Sequence, residues 1–153
     1  MTFTLKSNAF EYGGMIPKEF TCQGENLSPS LKWDGVHKNT KSFALICEDP
    51  DAPGGTWIHW VIYNIPGDKK SLQKDFPRTK LLDDGTKQGT NDFGRIAYSG
   101  PCPPHGIHSY IFKLYALDSA LNLQAGVNNL DVMSAMQNHI LEKCELMGKY
   151  GKL

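Results

Sequence analysis

Apolar residues gather along this chain in three short, dense runs: Ser42 to Cys47 (Ser-Phe-Ala-Leu-Ile-Cys), Ile58 to Ile65, and Tyr110 to Leu117. Each is rich in β-branched or aromatic residues and is bounded by Gly, Pro or Asp, which is the pattern of a strand. Apolar and polar positions alternate poorly in all three, because both faces carry apolar groups. Such strands belong in the middle of a structure, with packing on either side. Phe3 to Leu5 and Ser28 to Trp33 are shorter runs and read as edge strands.

The pattern then changes twice. Pro66 to Phe93 has scattered charge and few core-type residues, and it reads as a long surface loop with one short helical turn near Ser71 to Lys74. Its lysines are interleaved with acids, so it reads as a solvated surface. Further on, Leu130, Met133, Met136, Ile140, Cys144 and Met147 recur at spacings of three and four, which predicts a C-terminal helix packed on the sheet. Asn128 is placed to cap its start and Gly148 to end it. No repeat, low-complexity tract or linker interrupts the chain, so residues 1–153 are expected to form one domain.

Composition narrows the function classes. Lys+Arg and Asp+Glu both number 16, giving zero formal charge, which argues against nucleic acid or a broadly anionic membrane as partner. No segment approaches the ~20 apolar residues of a membrane span, and the opening Met1 to Asn8 lacks a basic stretch followed by an apolar run. A soluble, cytoplasmic chain is the expectation. Cys22, Cys47, Cys102 and Cys144 have no metal-like spacing and are expected to be reduced thiols. Cys47 and Cys144 read as small core hydrophobes, whereas Cys102 is open between an inert thiol and a redox-sensitive or ligand-adjacent one.

Most of the closely grouped ionisable and aromatic side chains lie in two segments, Asp49-Pro50-Asp51-Ala52-Pro53-Gly54-Gly55-Thr56-Trp57-Ile58-His59-Trp60 and Gly100-Pro101-Cys102-Pro103-Pro104-His105-Gly106-Ile107-His108-Ser109-Tyr110. Each joins a Pro/Gly-rich turn to a strand, a usual setting for a binding site. Period-two geometry puts Trp57 and His59 on one face with Ile58 and Trp60 on the other, and it puts His108 beside Tyr110. Adjacent strands would bring these pairs together. Imidazole N–H and phenolic O–H groups suit phosphate oxygens, amides of the Gly100 loop add uncharged donors, and Asp49 and Asp51 favour an imidazolium or accept from a ligand ammonium.

On these two segments, together with Gly24-Glu25-Asn26-Leu27-Ser28-Pro29, Trp33-Asp34-Gly35, Asn91-Asp92-Phe93-Gly94 and His139-Ile140-Leu141, the chain closely resembles the phosphatidylethanolamine-binding protein family. This family is also called Raf kinase inhibitor-like, and the likeness is to its bacterial and archaeal branch. The resemblance implies a mostly β fold, a large antiparallel sheet packed against a smaller one with peripheral helices. It implies an anion pocket at Asp49, Asp51, His59, His108 and Tyr110, shaped by Pro50, Pro53, Trp57, Gly100 and Pro101. It also raises the expectation of a homodimer, and it suggests an unusual turn at Ala52-Pro53, where a cis bond is expected. Two departures stand out: Ser109 replaces an Arg usual in bacterial relatives, and His105 lies in a loop that usually has no histidine.

Three functions follow. The first is non-catalytic binding of a phosphate-bearing or phospholipid-headgroup ligand, alone or in a regulatory role, and without metal or cofactor. The second is inhibition of a kinase or protease through protein contact, as in eukaryotic relatives. The third is a metal-dependent hydrolase on His59, His108 and a carboxylate. Against the third, the chain has no His-Glu-x-x-His helix, no Gly-x-Ser-x-Gly elbow and no phosphate loop.

Overall fold

The three dense runs become strands β3 (Ser42–Asp49), β4 (Trp57–Pro66) and β7 (Gly106–Leu117) of a computed structural model that describes residues 2–152. With β6 (Lys87–Gln88) and β8 (Ile140–Lys152) they form a five-stranded antiparallel sheet in the order β6-β4-β3-β7-β8. The short strands β1 (Thr4–Lys6), β2 (Leu31–Asp34) and β5 (Ser71–Leu72) form a second antiparallel sheet in the order β1-β2-β5, so β1 is an edge strand as expected while β2, paired on both sides, is the central one. A single turn of 3-10 helix, Lys18–Phe20, and the helix α1, Asn129–Met136, lie at the periphery.

Both faces of β3 are buried, which is why its apolar positions do not alternate. One face carries Phe43, Leu45 and Cys47 into a core shared with Leu5, Trp33, Trp60 and Phe112. The other carries Ala44 and Ile46 against Val61, Tyr63 and the α1 residues Val132 and Met136. Full burial of side chains such as Phe43, Leu45 and Phe112 contributes about 1.5–3 kcal/mol each.

Four expectations need correction. The C-terminal stripe is not one helix, because α1 stops at Met136 and residues from Ile140 onward pair along the whole length of β7. Asn128 does cap α1, accepting from the Asp131 N–H at 3.0 Å. Within α1, however, Val132 and Met136 are the buried residues, while Leu130 is 74% exposed. Gly148 ends nothing; a Cβ there would lie 2.6 Å from Ile16 Cγ1 and 2.7 Å from Phe10 Cε2, so the strand needs glycine to pass under these side chains.

The segment 66–93 contains β5 and β6 where a helical turn was expected, since Ser71 and Leu72 pair with Lys32 and Leu31. The Ala52–Pro53 bond is trans; the chain reverses there through Gly54 and Gly55, at φ 81° and 121°, closed by a Gly55 N–H to Ala52 carbonyl bond. Finally, Cys22 and Cys102 are joined by a disulfide, leaving Cys47 and Cys144 as free thiols.

Candidate functional site

The site depends on a β-bulge. Cys47 pairs with Trp60 and Glu48 with Ile58, so His59 is one residue too many for its partner strand. The extra residue breaks the period of two. His59 therefore shares a face with Trp60, which packs into the core between the sheets, while Ile58 packs on the opposite face. Sequence alternation alone had paired Trp60 with Ile58.

Five rings line up across this corner. Trp57 meets Phe93 edge-on at 5.6 Å between centroids, Phe93 meets His59 at 5.1 Å, and His59 meets Tyr110 at 5.2 Å. Tyr110 in turn stacks with His108 at 6.3 Å. Phe93 is presented by a loop held by Asn91. The Asn91 side-chain amide donates to the carbonyls of His59 and Ala97 and to Ser99 Oγ, and its oxygen accepts from the Phe93 and Arg95 N–H groups. Asp92 closes the same loop onto β4 by accepting from the Ile58 N–H at 2.7 Å.

The two carboxylates are committed within the protein. Asp49 Oδ2 accepts from His108 Nδ1 at 2.6 Å, and its Oδ1 accepts from the Asp51 N–H at 2.8 Å. Asp51 Oδ2 accepts from the Ser109 N–H at 2.8 Å. The Asp49-Pro50-Asp51 turn is thus fastened to β7, and its acids orient His108 and the turn itself.

Asp49, Pro53, Trp57, His59, His108 and Tyr110 line a cavity of about 240 Å³, joined by Ala52, Phe93, Cys102, Pro103 and Pro104. Asp51, Pro50, Gly100 and Pro101 are not part of that lining. The Gly100 N–H is not free for a ligand, since it donates to Asn26 Oδ1 at 2.8 Å, and the Pro101 carbonyl accepts from the Cys22 N–H. Gly100 is there for room: a Cβ would sit 2.1 Å from the Phe20 carbonyl oxygen. His105 is exposed and Ser109 half-buried, and both lie outside the lining. Of the lining residues that the sequence reading passed over, Phe93 lay in a quoted motif, and the others lay in the two quoted segments.

His59 Nδ1 lies 2.6 Å from the Ser99 carbonyl and donates to it, leaving Nε2 without a protein partner among the described residues. Burial lowers its pKa from 6.5, opposed by the Ser99 carbonyl and by the charge of Asp49, so near neutral pH the ring is uncharged. His108 likewise spends Nδ1 on Asp49. The Tyr110 hydroxyl is buried, and among the described residues its O–H has no protein acceptor. Burial raises its pKa, as does the charge of Asp49, while the Cys102 N–H, facing the phenolic oxygen, opposes the rise; the group remains a neutral O–H whose proton is left to donate. No Lys or Arg among the described residues lines the cavity. Among the described residues, no group of three or more His, Cys, Asp and Glu side chains is arranged to hold a metal ion.

The architecture, a large antiparallel sheet against a smaller one with a ring-lined cavity at the strand ends, defines a known class of β protein. Residues 6–151 match the family model described as phosphatidylethanolamine-binding protein, and the chain belongs to that family. It is 52% identical to a UPF0098 protein of Methanothermobacter thermautotrophicus over 95% of this chain and 97% of that one. A UPF0098 protein of Aquifex aeolicus is 47% identical over 94% of this chain and 85% of its own length. Among solved structures, the Escherichia coli protein YbcL, described as a member of the mammalian PEBP family, superposes with a TM-score of 0.92 at 35% identity over the full length of both chains. The phosphatidylethanolamine-binding protein homologue CT736 from Chlamydia trachomatis gives 0.91 at 40% identity, covering 99% of each chain. Among the described residues, no helix is long and apolar enough to cross a membrane.

Proposed function

We propose that residues 1–153 act as a single, non-catalytic binding domain that holds a phosphate-type oxyanion in the cavity above Tyr110, either free or as the head of a phosphomonoester or phospholipid. The observation that carries this reading is the Tyr110 hydroxyl, a buried O–H with no protein acceptor among the described residues, at the wall of a cavity. Leaving such a group unpaired costs about 1–3 kcal/mol, so a ligand acceptor there would recover that cost. Two further polar atoms have no partner among the described residues: His59 Nε2, which in the neutral ring is an acceptor suited to the O–H of a protonated phosphate, and His108 Nε2, whose ring is fixed through Nδ1. Trp57, Phe93 and the prolines supply an apolar rim that suits the carbon portion of an ester.

A hydrolytic role draws no support from the geometry. Asp49, the carboxylate nearest to both histidines, is already bound on both oxygens. Phosphorus NMR tests the reading: the protein should broaden the signal of inorganic phosphate, and phosphoethanolamine should compete. A phosphate signal unaffected by a stoichiometric amount of folded protein would overturn it.

A further inference from the structure

We propose that the Cys22–Cys102 disulfide is a thiol-exchange site, attacked by low-molecular-weight thiols or dithiols, whose opening loosens one wall of the cavity. Both cysteines are exposed, so an incoming thiolate has access to either sulfur. Cys102 also lines the cavity, as do Pro103 and Pro104 directly after it.

The disulfide sits where other restraints run out. Up to Pro101 the loop is tied down: Tyr98 donates its hydroxyl to the Phe20 carbonyl, Gly100 donates to Asn26, and Pro101 accepts from Cys22. From Gly106 onward the chain is held in the β7–β8 ladder. Between these points, among the described residues, 102–105 make no backbone-to-backbone hydrogen bond; the Cys102 N–H faces the Tyr110 hydroxyl, and two of the four are prolines with no N–H to give. The covalent bond to Cys22 is the main tether of this stretch, helped by burial of Pro103. Cys47 and Cys144 are separate from this chemistry: burial raises both thiol pKa values, which keeps them protonated and unreactive.

The exchange is balanced in two steps. A small-molecule thiolate bonds to one cysteine sulfur and breaks the protein S–S bond, and the departing cysteine thiolate takes up a proton. A second thiolate then attacks the mixed disulfide, releasing the other cysteine and an oxidised small-molecule disulfide.

That loosening of the wall changes ligand affinity rests on the phosphate reading, whereas the exchange itself does not. The experiment therefore reads the two separately. The folded, oxidised protein is treated with dithiothreitol or glutathione without denaturant. Released thiols are then mapped by alkylation, amide hydrogen exchange is followed by mass spectrometry, and inorganic phosphate is titrated into both forms. The expected result is new thiols at Cys22 and Cys102 only, exchange in the 100–109 segment faster by about tenfold, no change in β3, and weaker phosphate binding by the reduced form. Cys22→Ser should reproduce the faster exchange; if that variant does not fold, reduction of the wild type still decides. A disulfide inert to millimolar dithiol in the folded state, or its reduction with unchanged exchange at 100–109, would overturn the proposal. If neither form binds phosphate, the phosphate reading fails while the thiol and exchange data continue to decide the tether.

Discussion

His108 Nδ1 lies 2.6 Å from Asp49 Oδ2, with both side chains buried at the point where β3 and β7 leave the sheet. The contact orients His108 toward the cavity with Nε2 free, and it ties together two segments 59 residues apart in sequence. The second oxygen of Asp49 holds the turn that follows.

Removing this carboxylate is therefore expected to harm folding as well as binding. Asp49→Ala leaves a buried imidazole N–H and the Asp51 N–H without acceptors, at a cost of about 3–5 kcal/mol. Asp49→Asn, which keeps an acceptor for His108, should cost less than half of that. Urea unfolding of the two variants checks the order, and an Asp49→Ala protein as stable as wild type would contradict it.

Gly100 should prove intolerant for a steric reason and not because it contacts a ligand. Its missing Cβ would overlap the Phe20 carbonyl oxygen, which is backbone and cannot swing aside. Gly100→Ala is expected to lower stability by about 1–3 kcal/mol. Phosphate affinity of the folded fraction should change little, which calorimetry at a temperature well below unfolding would show.

His59 makes stability depend on pH. Its folded pKa lies below the unfolded value of 6.5 because the charged form is disfavoured by burial, so the unfolded chain binds the proton more readily. This contribution is complete above about pH 6.5 and is lost as pH falls toward the folded pKa. His59→Asn can keep the bond to the Ser99 carbonyl without titrating. The stability advantage of wild type over this variant should shrink between pH 7 and pH 5 in matched thermal melts, and a constant difference would contradict the prediction.

The central strands were legible in the sequence because burial on both faces forces an unbroken apolar run, as in Phe43 to Cys47. Most of the cavity was legible too, because Trp57, His59, His108 and Tyr110 lie on strands whose side-chain direction follows from a short count along the chain. Three features were not. The bulge at His59 depends on pairing between strands, which no local pattern records. Ile140, Cys144 and Met147 happened to fall at helical spacing, while the strand signal of buried Leu146 and Tyr150 around Gly148 was hidden by a glycine that reads equally well as a helix end. The Cys22–Cys102 pair spans 80 residues, and only the folded chain brings the two loops together.

The most direct test is a calorimetric titration of inorganic phosphate into wild type and Tyr110→Phe at pH 6. The substitution deletes one oxygen and keeps the ring, which meets His59 edge to face and stacks with His108. Loss of a hydrogen bond to a charged ligand, about 1.5–3 kcal/mol, predicts affinity weaker by roughly 10- to 100-fold with thermal stability unchanged or slightly higher. Equal phosphate affinity in the two proteins would contradict the assignment of this cavity as an oxyanion site.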